Sequence, residues 1–249
     1  MARMWLIIGC LLFSPLLPAA EQVTVGVNHA PPYRIVEAER VTGFYVDLFE
    51  EMAQRLDWNV RYVEAPFRRI LLMMEQGEVD VMLGPLKTSE REAYMDYIVE
   101  AFPPERRLFF YTRDENRILG YPDLYRKRIG VLRGSRYFPM FDSDPDLLKE
   151  PGARYENLMR MLQRGYVDVV IAPELVGRYT IRQNDIDAKV SPFFVPGEQS
   201  WIAVSRQSGL SIYREDMIHA LEAVQADSTY DQLLMKYLQQ PGDGVPASP

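Results

Sequence analysis

The chain has 249 residues, 47% hydrophobic and 25% charged, which excludes a disordered polypeptide and suits one large domain or two small ones. Its net charge is −7, and it has no basic tract beyond Arg126-Lys127-Arg128, which argues against nucleic acid as a partner. The single cysteine, Cys10, excludes CxxC redox chemistry and cysteine-based zinc sites.

Residues 1–20 differ in kind from the rest of the chain. Arg3 precedes the apolar run LIIGCLLFSPLLP, and the small residues Ala19 and Ala20 come after it. A basic start, a short apolar centre and a small-residue end read as a secretory signal peptide cut near Ala20. A membrane anchor is the alternative, but the run falls short of the roughly 20 apolar residues that a spanning helix needs. The segment IIGC has the look of a lipoprotein cleavage box, set too early to leave an apolar core before it. Cleavage near Ala20 removes Arg3 and Cys10 and leaves 27 basic against 35 acidic residues, a balance of −8.

From residue 22 strand and helix alternate. QVTVGV (22–27) has a buried-strand pattern, and 43–57 sets Phe44, Leu48, Phe49, Met52 and Leu56 at helical spacing. A strand follows at 59–64, a helix at 67–76 ended by Gly77, and a strand at 79–83. Further on come an extended run at 108–112, the apolar strand RIGVL (128–132), and a second extended run at 200–205. Helices are expected at about 211–224 and 228–239, and the tail 241–249 has the composition of a disordered terminus. This alternation predicts α/β architecture, with sheets covered by helices.

One unit occurs twice. MMEQGEVDVMLGP (73–85) and MLQRGYVDVVIAP (161–173) share six of thirteen positions at an offset of 88. In each copy a helix ends at a glycine, where a left-handed turn is cheap, and a short buried strand follows. An apolar strand precedes each copy, VTVGV (23–27) and RIGVL (128–132). Chance likeness of two helix–strand turns is the alternative to duplication.

The stretch GPLKTSER (84–91) follows the first copy. Thr88, Ser89 and Glu90 suit a helix start, but Arg91 puts a cation in the first turn, where the helix dipole disfavours it. A guanidinium offers a carboxylate two parallel hydrogen bonds and stays charged when shielded from water. A surface arginine is the plainer reading.

Taken together, VGVNHAPPY (25–33), GFYVDLFEEMAQRL (43–56), PFRRILLMMEQGEVDVMLGPLKTSER (66–91), RIGVLRGS (128–135) and LEAVQADSTYDQLLMKYL (221–238) resemble, in order, bacterial periplasmic solute-binding proteins of family 3. These serve polar amino-acid ABC importers. The resemblance spans about 22–240 and implies a type II periplasmic-binding-protein-like fold, with two lobes that are each a helix-flanked mixed sheet. Two crossover strands, placed near 108–114 and 200–206, would join them. Lobe one is then 21–111 with 203–240, lobe two 112–202, and ligand binds in the cleft between them. The resemblance also implies a periplasmic monomer without cofactor, a small carboxylate ligand and an ABC permease as partner.

By the same resemblance Arg91 stands where the family grips the ligand's α-carboxylate. Gly84 stands where a backbone group meets the ligand, Phe67 matches an aromatic wall, and Tyr33 lies near a second. Arg69 fits an aromatic-x-Arg variant of the pattern. Gly134-Ser135 is expected at a helix N-terminus, where free N–H groups and the Ser135 hydroxyl would share the carboxylate with Arg91. Two positions depart from the pattern: Leu86 replaces a usual Ser or Thr, and Pro173 falls where the family carries an aspartate for the ligand ammonium. Glu174 is adjacent and could substitute, while Asn28 and His29 could supply replacement polar contacts. For each of these residues a core, turn, cap or solvated-face role is the alternative.

The sequence holds no HExxH, GxSxG, P-loop or GxGxxG. Binding rather than catalysis is therefore expected. The alternatives are a periplasmic sensor or accessory subunit, and a cyclohexadienyl-dehydratase-like enzyme using Glu174.

Overall fold

The computed structural model describes residues 21–38 and 40–237. The signal peptide expected over 1–20 and the tail 241–249 lie outside the described residues. Strand β1 (Glu21–Val27) is buried from Val23 to Val27, as a strand with neighbours on both sides requires. A small hairpin of β2 (Ile35–Glu37) and β3 (Arg40–Thr42) leads into α1 (Phe44–Arg55), whose Phe44, Leu48, Phe49 and Met52 form the expected buried stripe. Strand β4 (Trp58–Glu64) runs parallel to β1, α2 (Phe67–Gln76) follows, and β5 (Val81–Leu83) takes the other side of β1. The short helix α3 (Ser89–Glu92) precedes β6 (Met95–Phe102).

Residues 103–106 carry the chain into a second sheet. It contains β7 (Arg107–Tyr111), β8 (Arg128–Leu132), β9 (Leu148–Gly152), β10 (Val169–Pro173) and β11 (Lys189–Val195). Helix α4 (Pro139–Ser143) lies between β8 and β9, α5 (Tyr155–Gln163) between β9 and β10, and α6 (Glu174–Gln183) follows β10. Residues 196–199 return the chain to β12 (Ser200–Ser205), and α7 (Arg214–Ala226) and α8 (Thr229–Tyr237) pack against α1. The strand orders are β4-β1-β5-β12-β6 and β11-β7-β10-β8-β9, each sheet mixing parallel and antiparallel pairs.

The crossings thus fall earlier than the runs 108–114 and 200–206. LFFYT reads as a connector because it is extended, yet Arg107–Tyr111 is buried throughout and pairs on both sides, with β10 and β11. Its alternate residues serve opposite faces: Leu108 and Phe110 join one core cluster, Phe109 and Tyr111 the other. SWIAVS likewise lies wholly inside the first sheet, between β5 and β6.

The repeated sequence builds the same corner twice. Gly77 and Gly165 are left-handed, with φ of 71° and 74°, and end α2 and the turn after α5. The shared aspartate then pairs with the neighbouring strand through backbone and side chain together. Asp80 N donates to Thr24 O at 2.8 Å while its carboxylate accepts from Thr24 N at 2.7 Å. Asp168 N donates to Arg128 O at 2.8 Å and its carboxylate accepts from Arg128 N at 2.8 Å. Each carboxylate satisfies an amide that the short central strand begins too late to reach.

Candidate functional site: the cleft between the lobes

The lobes face each other across a cleft that is open to solvent at its mouth. Its first wall comes from the loop after β1, from α1, α2 and the 84–91 stretch. The second comes from the end of β8, from α5 and α6, and the floor from the crossings.

Arg91 is held by the helix start that the sequence predicts. Thr88 Oγ1 accepts from the Arg91 amide at 3.3 Å and caps α3. The side chain turns inward and is only 3% exposed, although arginine is a residue that water normally keeps at the surface. Its Nη1 donates to Leu86 O at 3.1 Å and its Nη2 to Gly134 O, on the opposite lobe, at 2.8 Å. The guanidinium stands 5.7 Å from the Phe67 ring centre, so two of the expected site residues meet. Burial pulls the Arg91 pKa below its usual value. The Leu86 side chain offers no hydroxyl, but its carbonyl also accepts from Tyr97 Oη at 3.0 Å.

Gly84 lines the cleft with φ of 84°. Its amide is committed to Trp201 O at 2.8 Å. A Cβ at this position would fall 2.3 Å from a Tyr45 ring carbon and 3.0 Å from Arg34 Nη1, so the absent side chain lets a ring and a guanidinium close in.

Those neighbours open a second polar centre that the sequence reading missed. Arg34 is buried and donates from Nη1 to Leu83 O at 2.9 Å and from Nε to Asn28 O at 3.4 Å. Burial lowers its pKa, and the adjacent tyrosines oppose that effect. Arg107, also buried, donates from Nη1 to Glu105 O. The Glu105 carboxyl, in the first crossing, accepts from the Leu175 amide and from the Tyr33 hydroxyl. Burial pushes that carboxyl up to about 7, against the pull of Arg107. Tyr33 stacks on Tyr45 with ring centres 4.4 Å apart, and Tyr45 Oη lies 3.2 Å from Ser200 Oγ. Burial drives the Tyr33 and Tyr155 hydroxyls well above the usual phenol value and the Tyr45 hydroxyl to about 12.

Of the other expected residues, Asn28, Tyr33 and Ser135 line the cleft. The helix expected at Ser135 does not start there. Gly134 turns left-handed with φ of 84°, the Ser135 amide donates back to Leu132 O at 2.9 Å, and α4 begins only at Pro139. Glu174 is not among the residues that line the cleft, and it accepts from Arg106 at 2.8 and 2.9 Å and from Arg178 at 3.1 Å. Arg69 is exposed and pairs with Glu78 at 2.7 Å, the solvated-face alternative. His29 accepts from the Val36 amide at Nδ1, and its Nε2 stands 3.6 Å from Glu156 of the opposite lobe.

The architecture has many solved counterparts. An ancestral arginine-binding protein bound to arginine superposes with a TM-score of 0.78 at 23% identity, covering 89% of this chain and 100% of that one. The arginine-, lysine-, histidine-binding protein ArtJ of Geobacillus stearothermophilus gives 0.75 at 19% identity, with 89% and 97% covered. In sequence, the histidine-binding periplasmic protein of Escherichia coli strain K12 is 20% identical over 236 residues, 88% of this chain and 89% of its own. At these identities the likeness shows the fold, that of type II periplasmic binding proteins. The family model for bacterial extracellular solute-binding proteins, family 3, matches residues 23–240, and the chain belongs to that family.

Proposed function

We propose that the chain captures a small carboxylate-bearing solute in the cleft and presents the closed form to an ABC permease from the periplasm. The observation that carries this reading is Arg91, a buried guanidinium at the cleft whose hydrogen bonds end on backbone carbonyls. A carboxylate is the group such a fork fits best. Phe67, Gly84, Tyr33, Asn28 and Ser135 would surround the solute, with lobe one as 21–102 and 200–237 and lobe two as 107–195. The named ligands of the relatives, arginine and histidine among them, support an amino-acid-like solute. Closure follows only if the solute binds the closed form more tightly than the open one.

The dehydratase alternative needs Glu174 as a proton donor at the cleft. Its oxygens are taken by Arg106 and Arg178, and Arg69 is held by Glu78, so we give neither a place at the ligand.

Calorimetric titration of refolded, ligand-free protein against amino acids and organic acids tests the reading. The expected result is one saturable site that Arg91→Ala abolishes while far-UV circular dichroism is retained. Binding unaffected by Arg91→Ala would remove the clamp. Consumption of prephenate would overturn the non-catalytic reading.

A further inference from the structure

The cleft holds more positive charge than it can neutralise. Arg34, Arg91 and Arg107 are each at most 9% exposed, and all three reach the cleft. Their guanidinium hydrogen bonds end on the carbonyls of Asn28, Leu83, Leu86, Gly134 and Glu105. Carboxylates near the cleft pair with other cations, Glu174 with Arg106 and Arg178, Glu90 with Arg136 and Glu64 with Arg154, while Glu198 lines the cleft from the exposed second crossing, where water screens it. Glu105 is the buried carboxyl beside the second centre, and, pushed up to about 7, it is a weak counter-charge at neutral pH. Carbonyl dipoles soften the burial of a cation, but full compensation needs an anion.

The charges also have a spacing. Arg34 holds the carbonyl of Leu83 and Arg91 that of Leu86, three residues further along one segment. Two such points are at most about 11 Å apart along an extended chain. Both guanidiniums line the one cleft, so a small solute with an anionic group at each end meets both. The Tyr45 and Ser200 hydroxyls, 3.2 Å apart, stand beside the second centre as further donors.

We infer that the solute carries two carboxylates, one gripped by Arg91 and the other by Arg34 together with Arg107. This rests on the solute-capture reading and narrows it. A ligand with a cationic side chain would set like charge against Arg34 and Arg107, which disfavours arginine and lysine here.

The test is a calorimetric panel of succinate, glutarate, L-glutamate, L-glutamine and L-arginine on refolded wild-type protein. At least one diacid should bind at least about tenfold more tightly than glutamine and arginine, since a buried charge-assisted pair exceeds its neutral counterpart. Arg107→Gln should reduce the preference for glutamate over glutamine, and Arg107→Lys should restore part of it. Glutamine or arginine binding as tightly as the diacids overturns the two-carboxylate proposal and leaves solute capture standing. Failure of all five probes overturns the proposal, and failure of the wider amino-acid and organic-acid screen overturns capture as well. The wild-type panel decides the matter even if the Arg107 variants do not fold.

Discussion

Arg91 Nη2 lies 2.8 Å from the carbonyl oxygen of Gly134, so a side chain rooted in α3 of one lobe ends on the backbone of the other. The same guanidinium reaches Leu86 O within its own lobe, and Phe67 covers its face. In the proposed reading, closure and capture draw on this one group. Ionic contacts across the cleft mouth, Arg136–Glu90 and Arg154–Glu64 at 2.6 Å each, add little by comparison because all four side chains are well exposed.

Arg91→Lys separates charge from geometry at this point. Lysine keeps the positive charge but loses the planar fork that serves two acceptors at once. Ligand affinity should fall about 100-fold while the ligand-free urea midpoint changes little, since a charged donor still reaches one carbonyl. Titration calorimetry and urea unfolding on the same preparation read both numbers. Full affinity in the lysine variant would show that the fork is dispensable.

Glu105 gives the protein an unusual pH dependence. Its carboxyl rises from 4.5 to about 7 on folding, through burial first, with Arg107, the Leu175 amide and Tyr33 opposing and Glu174 adding to the rise. Between those two values the folded chain keeps a proton that the unfolded chain has shed. This contribution to stability therefore falls as pH rises from 4.5 to 7 and is level above. Glu105→Gln should be more stable than the parent at pH 8, by on the order of 3 kcal/mol, with the gain shrinking to nothing below pH 4.5. Urea titrations at pH 4.5, 6 and 8 measure the gap. A gap that is constant with pH would mean the carboxyl titrates at its ordinary value.

The duplicated corner predicts duplicated energetics. Asp80 and Asp168 each accept a backbone amide of the neighbouring strand, Thr24 N at 2.7 Å and Arg128 N at 2.8 Å. Replacing either by alanine leaves that amide unsatisfied, so both variants should lose about 2 kcal/mol, within about 1 kcal/mol of each other. Arg128 holds the Asp168 carboxyl below its usual 3.8, so this residue's contribution is full above that value and is lost as pH falls through the lowered one. Chemical denaturation of the two variants at pH 7 and of Asp168→Ala at pH 3 checks these points. One neutral variant and one costly variant would break the equivalence.

Most of the fold was legible because its signals are local. The Phe44–Met52 stripe, the Gly77 stop and the strand at 128–132 each depend on residues within a few positions. Arg91 was legible for a related reason: a cation in a first helical turn is a local misfit that needs an external cause. Arg34 and Glu105 gave no such sign. APPYR reads as a turn and PPERR as a polar loop, and their importance comes from contacts with Leu83 and Leu175 far along the chain. A carboxylate between two prolines and two arginines was the available hint, and the expected crossing at 108–114 passed it by. Ser135 misled because Gly-Ser after a strand suits a helix start, whereas here a left-handed turn leads into four more non-helical residues, 135–138.

The two crossings touch at Gly197 and Glu105, whose carbonyl also accepts from Arg107, and this contact offers a control of closure. A Cβ at Gly197 would fall 2.2 Å from the Glu105 carbonyl carbon and oxygen and 2.3 Å from its nitrogen. All three are backbone atoms, so no side-chain rotation can relieve the clash. Gly197→Ala must push the crossings apart, at an overpacking cost of about 1–3 kcal/mol. That is the size of the gap that ordinarily separates open and closed states, so the variant should populate the open form. Each sheet is closed by its own strands, so far-UV circular dichroism should stay unchanged. Small-angle X-ray scattering of the ligand-free variant should give a larger radius of gyration than the parent, and ligand should bind about tenfold more weakly. A scattering curve and an affinity matching the parent would mean that the crossings absorb the methyl group without moving the lobes.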